Sequence, residues 1–261
     1  MDRWYILYHH HCDDGFGAAY AAWKSLADRA SYLPVLHGEP PPDIPSGSKV
    51  VIVDFAYPRQ VLLDMDQRME SVLVLDHHKT AQEDLAGLPF AHLDMSKSGA
   101  VLSWEHWHTG EPIPPLLRYV EDRDLWRFAL PDTHEVSAAL ETYPRDFDLW
   151  DRLDVAALAQ EGRPILRALR QQVARMVDRA SFQDIAGYQV PVVNASLLTS
   201  DVLDALARRY PTAPFAACYF DRGDRKRQWG LASIGSFDVS RVAEMFGGGG
   251  HKNRSGFVEE A

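Results

Sequence analysis

The chain has 261 residues, 46% hydrophobic and 25% charged, a balance that suits one large globular domain or two ordinary ones. Its formal net charge of -10 argues against wrapping a long nucleic-acid duplex nonspecifically, but leaves room for a short phosphorylated ligand whose charge metal ions could balance. Two cysteines, Cys12 and Cys218, with no CxxC pair fit a reducing cytoplasm and exclude a thiolate zinc site, and the run Tyr5-Ile6-Leu7-Tyr8 is too short for a signal peptide or a membrane span.

The first half alternates strand and helix. Trp4 to Tyr8 reads as a buried strand, and Gly15 to Arg29 as a helix with Phe16, Ala19, Tyr20, Trp23 and Leu26 at three-to-four spacing. Tyr32 to Leu36 is a second strand, followed by a proline-rich surface loop around Pro40-Pro41-Pro42. Lys49 to Val53 is a continuous apolar strand ending in Asp54, and Pro58 opens a helix. Ser71 to Leu75 is another such strand, ending in Asp76-His77-His78, and Phe90 to Leu93 adds one more. Apolar strands in a β-α-β rhythm imply a parallel sheet covered on both faces. Ser98 to His108 and Ile113 to Leu125 read as helices, and Pro131 to Phe182 is helical throughout, its last stretch one long helix from about Gly162. Beyond Gly187, strands at 190–193, 215–220 and 229–234 alternate with helices at 200–210 and 240–246. The expected fold is α/β: a parallel-sheet domain over 1–130, a helical connector over 131–186, and a smaller α/β domain with a mixed sheet over 187–261. The active site is expected in the cleft between the domains.

Packing does not call for metal-competent side chains where buried strands end, yet three strands end in them. The first gives His9-His10-His11-Cys12-Asp13-Asp14-Gly15, the second Asp54, and the third Asp76-His77-His78. In a parallel sheet all three open at the carboxyl edge, where ligands bind in open α/β sheets. Carboxylate oxygen with imidazole nitrogen suits manganese, magnesium or cobalt better than a thiophilic ion. Two such ions about 3.5–4 Å apart activate water and polarise a phosphoryl oxygen, the chemistry of phosphoester hydrolysis. Glu121-Asp122-Arg123-Asp124 offers a further carboxylate. In the last domain Gly247-Gly248-Gly249-Gly250-His251-Lys252-Asn253-Arg254 joins glycines that let a phosphate approach the backbone to side chains that donate to it. Arg222 to Arg227 reads as a solvated hairpin turn. Trp4, Trp23 and Trp104 read as core rather than as a base-stacking platform.

These motifs resemble the DHH phosphoesterase superfamily over nearly the whole chain, through His9–Gly17, Val53-Asp54, Leu75-Asp76-His77-His78, Asp122 with its following Leu-Trp-Arg-Phe, and the glycine loop. The loop is similar to that of the subfamily with a DHH-associated C-terminal domain, which includes nanoRNases and other oligonucleotide phosphodiesterases. The resemblance implies a hydrolase with two manganese ions, magnesium or cobalt being alternatives. It implies His9 on the first ion, Asp54 bridging both, and His77 on the second with Asp14 and Asp122. Asp76, His77 and His78 would be catalytic. Gly248, Gly249, Gly250, His251 and Arg254 would grip the substrate phosphate, and Ser98 and Gly99 would be structural. The usual pattern has two aspartates one residue apart after the first histidine. Here Cys12-Asp13-Asp14 departs from it, so either Cys12 or Asp13 completes the first site.

The expected activity is hydrolysis of short single-stranded oligonucleotides or dinucleotides to nucleoside monophosphates, in the cytoplasm, without a membrane or a stable protein partner. Two alternatives are a phosphoanhydride hydrolase acting on polyphosphate or pyrophosphate, and a nucleotide-binding regulatory module with a weakened metal site.

Overall fold

The computed structural model describes residues 3–36 and 38–260 and divides into two compact units, 1–166 and 167–261. In chain order the first unit holds β1 (Trp4–His9), α1 (Asp13–Leu26), β2 (Ala30–Val35), β3 (Lys49–Val53), α2 (Arg59–Arg68), β4 (Ser71–Asp76), α3 (Lys79–Asp84) and β5 (Ala91–Leu93). It continues with α4 (Gly99–Trp107), α5 (Pro115–Asp124), α6 (Thr133–Leu140), α7 (Phe147–Trp150) and the start of α8 (Val155–Val177). Among the described residues no helix is long and apolar enough to cross a membrane.

The five strands pair in the order β2-β1-β3-β4-β5, all parallel. Successive side chains of a strand face opposite ways, and both faces of this sheet are apolar. Leu7, Ile52 and Val74 pack on Leu62 and Met65 of α2. Ile6, Val51, Val53 and Leu75 pack on Ala18, Ala19, Ala22 and Leu26 of α1. That double burial explains why the strands read as unbroken apolar runs. Behind α1, its Phe16 and Tyr20 join Trp104, Leu117, Val136, Trp150 and Leu158 in a helical core. Trp23 packs against that core, and Trp104 lies within it.

The long helix begins earlier than its sequence suggests. Gly162 and Pro164 look like a break, but both lie inside α8. Gly162 is there because the helix backbone presses on α6: an added Cβ would lie 1.8 Å from the carbonyl oxygen of Glu135. Gly162→Ala is therefore expected to force the two helices apart and cost about 2–3 kcal/mol, as overpacking does. For a unit of this size that lowers Tm by roughly 5–10 °C. Thermal unfolding measures it, and an unchanged Tm would show that the contact gives way without cost.

The second unit takes up α8 at Arg167, so the helical stretch 131–186 is divided between the two units. It then holds β6 (Ser181–Ile185), β7 (Tyr188–Asn194), α9 (Thr199–Arg209), β8 (Ala216–Asp221), β9 (Lys226–Ala232), α10 (Val239–Met245), β10 (Gly249–His251) and β11 (Arg254–Glu260). Its six strands form a mixed sheet ordered β10-β11-β9-β8-β7-β6, with β7 and β8 the parallel pair. Val202, Leu203 and Leu206 of α9 cover one face with Val173 and Val177. Val239, Val242 and Ala243 of α10 cover the other, over Leu231 and Phe257. β6 replaces the helical end expected through Phe182. It is an edge strand with one buried residue, Ile185, so it carries little apolar pattern. Arg222 to Arg227 forms the turn between antiparallel β8 and β9, where Arg222 pairs with Asp224 and Arg227 with Asp221.

Candidate metal centre

Three neighbouring strand ends bring the donors together. Tyr8 pairs with Val53, and Val53 with Leu75, so His9, Asp54 and Asp76 emerge side by side at the carboxyl edge of the sheet. The segment after β1 does not stay extended. Asp13 and Asp14 form the first turn of α1, where carboxylates favour the helix dipole. On a helix the two side chains diverge. Asp14 is buried, and its oxygens accept the backbone N–H groups of Gly99 (2.6 Å) and Ala100 (2.9 Å). Asp14 thus sits on the N-terminus of α4, which Ser98 caps by accepting the N–H of Val101. Gly99 has no room for a side chain, since a Cβ would stand 2.6 Å from that of Asp54. This gives Ser98 and Gly99 the structural role their sequence suggests.

His77 is the hub. Its Nε2 lies 3.2 Å from Asp54 Oδ1, 3.5 Å from Asp124 Oδ2 and 3.7 Å from Asp14 Oδ2. Asp54 faces two ways, because its other oxygen, Oδ2, is 3.5 Å from His9 Nδ1. Asp54 also has a φ of 62°, a left-handed conformation that non-glycine residues rarely adopt and that clusters at functional sites. Its N–H donates to the carbonyl of Leu75 at 2.9 Å, which holds that conformation in place. Asp76 Oδ1 accepts the backbone N–H of His77 and lies 2.7 Å from His78 Nδ1, so Asp76 fixes the backbone at His77 and orients the ring of His78.

The cluster is electrostatically frustrated as it stands. Burial raises Asp14 well above the usual carboxylate range, and Asp54 and Asp124 add to the rise. Burial raises Asp124 to about 6, with Asp54 adding and His77 opposing. Burial works against charge on His77 too, but the surrounding carboxylates outweigh it and push the imidazole up to about 10. Burial likewise opposes ionisation of Asp54, but the His77 and His9 imidazoles facing its two oxygens prevail and hold its carboxyl below the usual range. Cys12 is pushed up by burial, and again by Asp54, Asp124 and Asp14.

Divalent cations fit this arrangement. Asp54 Oδ2 and Asp76 Oδ2 are buried without a hydrogen-bond partner, a condition that costs about 1–3 kcal/mol for a polar atom and more for a charged one. Two donor groups are close enough to hold an ion each: His9, Cys12 and Asp54, and Asp14, His77 and Asp124. A third grouping joins Asp54, Asp76, His77 and His78.

Several expected residues lie elsewhere or do different work. Asp122 is buried away from the cluster, and its carboxylate accepts the N–H groups of Ala129 and Leu130 and the hydroxyl of Thr133. Asp124 is the carboxylate of this helix end that lies beside His77, its side chain 27% exposed. Its spacing is the one available signal, since Asp124 follows Leu117 by seven residues and Val120 by four on α5, although Asp122 is the buried carboxylate of that helix. Asp13 pairs with Arg145 at 2.7 Å and joins none of the donor groups, whereas Cys12 joins one. The glycine run is no open loop. The N–H groups of Gly247 and Gly248 donate to carbonyls at the end of α10, and Gly249 to His251 forms β10. His251 and Arg254 face each other as register partners in the β10–β11 hairpin, and Arg254 lies 3.6 Å from Asp204.

No protein-family model matches the chain. It is 29% identical over 284 aligned residues to an uncharacterized protein of Acanthamoeba polyphaga mimivirus, covering 97% of this chain and 66% of that protein, just under two thirds of its length. Solved structures share the fold. An exopolyphosphatase-related protein from Bacteroides fragilis is 13% identical with a TM-score of 0.62, over 98% of this chain and 86% of its own. RecJ from Thermus thermophilus in complex with Mn2+ is 15% identical with a TM-score of 0.53, over 99% of this chain and 49% of its own. The pGpG-specific phosphodiesterase PggH from Vibrio cholerae is 12% identical with a TM-score of 0.51, over 99% and 93%. The shared architecture is an α/β fold with a parallel five-stranded sheet and a separate mixed sheet.

Proposed function

We propose that the chain is a metal-dependent phosphodiesterase of the DHH type that hydrolyses short oligonucleotides or dinucleotides to nucleoside monophosphates. One observation carries this reading: Asp54, buried and strained, faces His9 with one oxygen and His77 with the other, linking two donor groups. His9 and Asp54 would hold a first ion, and Asp14, Asp54, His77 and Asp124 a second. Manganese is the proposed ion, with magnesium or cobalt able to replace it. Such a pair supplies an activated water and charge neutralisation at the phosphoryl group.

The protein's own part is positioning. The Gly99 and Ala100 N–H groups fix Asp14, so its carboxylate is aimed before any ligand arrives. Asp76 holds the His78 ring by its Nδ1, which sets the direction of the other ring nitrogen toward a ligand at the sheet edge. In the second unit, the β10–β11 hairpin presents His251 and Arg254 together as donors suited to phosphate. Gly249 and Gly250 contribute by keeping that hairpin free of side chains, and Gly248 by fixing its start on α10. The substrate class is supported by the fold shared with a nuclease and a dinucleotide phosphodiesterase.

A substrate panel tests the reading. Chelator-stripped protein is assayed with and without manganese on a linear dinucleotide, a short RNA, a cyclic dinucleotide, 3'-phosphoadenosine-5'-phosphate and polyphosphate. The expected result is release of monophosphates from the linear dinucleotide only when manganese is present. Orthophosphate release from polyphosphate alone would make the chain a phosphoanhydride hydrolase. Nucleotide binding without turnover of any substrate would make it a regulatory module.

A further inference from the structure

The two donor groups that Asp54 links differ in chemistry. Asp14, His77 and Asp124 offer two carboxylates and an imidazole. His9, Cys12 and Asp54 offer an imidazole, a thiol sulfur and a carboxylate, with the three donor atoms all within 4.8 Å of one another. Cys12 stands at the turn between β1 and α1 as the residue before the helix, in an extended conformation (φ -118°, ψ 135°). Its side chain makes no capping hydrogen bond. A second observation points to a cation at the same place. Asp54 is 1% exposed, and its Oδ2, the oxygen nearest His9, has no hydrogen-bond partner. Cys12 is half-buried, and its sulfur stands beside an imidazole and a carboxylate.

We propose that Cys12 is a ligand of the first metal site, and that its sulfur makes this site select a thiophilic ion of the zinc class while the His77 site keeps a hard ion such as magnesium or manganese. Softness of the donor is what separates these ions, since thiolate favours zinc, and carboxylate favours magnesium and manganese. On binding, the sulfur–metal bond forms and the thiol proton leaves to solvent. The all-thiolate zinc site excluded by the lack of a second nearby cysteine is a different structure; here one sulfur sits in a mixed set. The inference rests on the metal-dependent reading above and adds to it a division of labour between unlike ions.

Cobalt reports on sulfur directly. The full chain is stripped with a chelator and reloaded with Co2+, and the near-ultraviolet thiolate-to-cobalt charge-transfer band is followed beside cobalt content. The wild type is expected to show the band, Cys12→Asp and Cys12→Ser to lose it, and Cys218→Ser to keep it, since Cys218 is buried in the second sheet. Cys12→Asp keeps a donor at the position and so preserves metal binding. In competition, the preference of wild type for cadmium over manganese is expected to fall by about tenfold or more in Cys12→Asp, at least the scale on which metal affinity responds to loss of an outer-shell partner. Stoichiometric cobalt without the band, or a band that survives Cys12→Asp, overturns the assignment of Cys12 and leaves the hydrolase reading standing. A wild type that binds no cobalt or manganese at all overturns both.

Discussion

His77→Ala is expected to abolish manganese-dependent hydrolysis, lowering kcat by about a thousandfold or more. Loss of one preorganised electrostatic group in an active site costs about 10²–10³, and here the same change also removes a metal donor. Three carboxylates, Asp14, Asp54 and Asp124, converge on the Nε2 of this one buried ring. Without it they face one another, and a cation entering the second group loses its nitrogen ligand. Breaking a buried ion pair by removing one partner costs about 3–5 kcal/mol, so the substitution also reaches stability, and a pH series separates the two effects. The folded-state pKa of His77 is raised, to about 10, above its ordinary value of 6.5. Its contribution to the metal-free protein is therefore complete below about pH 6.5 and lost as the pH rises through 10. Chelated wild type should melt at falling temperatures across that window, and chelated His77→Ala should lack that loss. Full activity in a folded His77→Ala protein would remove the metal centre from the mechanism.

Much of this centre was legible because its donors follow buried strands. The apolar runs Lys49–Val53 and Ser71–Leu75 can hardly be anything but interior strands of a covered sheet, and in a parallel sheet their ends share an edge. That logic places His9, Asp54 and Asp76 together without any knowledge of loops. It does not reach donors positioned by helices. The sequence leaves Cys12 and Asp13 as alternatives; the helix starts two residues before Gly15, and its first turn points Asp14 at α4 and Asp13 at Arg145. Gly162 suggests the beginning of a helix, because the contact that requires the glycine comes from Glu135 on another element. The glycine run suggested an open loop, because glycine's freedom is visible in a sequence and its hydrogen-bond partners are not. For Asp13, Asp14 and Gly162 the deciding contact lies far along the chain, and for the glycine run it lies only a few residues away, on α10 and β11.

The pair Asp122 and Asp124 tests that lesson most sharply, since two residues on one helix end are expected to fail in opposite ways. Asp122 holds the return from α5 to α6. Its carboxylate accepts two backbone N–H groups and the Thr133 hydroxyl, and its carbonyl accepts the N–H of Arg127. The returning loop includes Trp126, Phe128 and Asp132 with positive φ, conformations that need such restraint. Asp122→Ala should therefore cost about 2–4 kcal/mol, given about 1.5–3 kcal/mol for a hydrogen bond to a charged group, while protein that remains folded still binds metal. Asp124 makes the opposite case. Its folded-state pKa is raised to about 6, so its ionisation opposes folding when no metal is present. Its stabilising influence is complete below its ordinary pKa of 3.8 and is lost as the pH passes 6. At neutral pH, Asp124→Asn should leave the metal-free melting temperature unchanged or higher. The same variant should lose manganese affinity by about a hundredfold, the upper end of what losing even an outer-shell partner of a ligand costs, and lose turnover with it. Calorimetry on chelated protein and manganese titration of each variant read the two effects separately. The reverse pattern, with Asp124→Asn unstable and Asp122→Ala unable to bind metal, would restore Asp122 as the ligand.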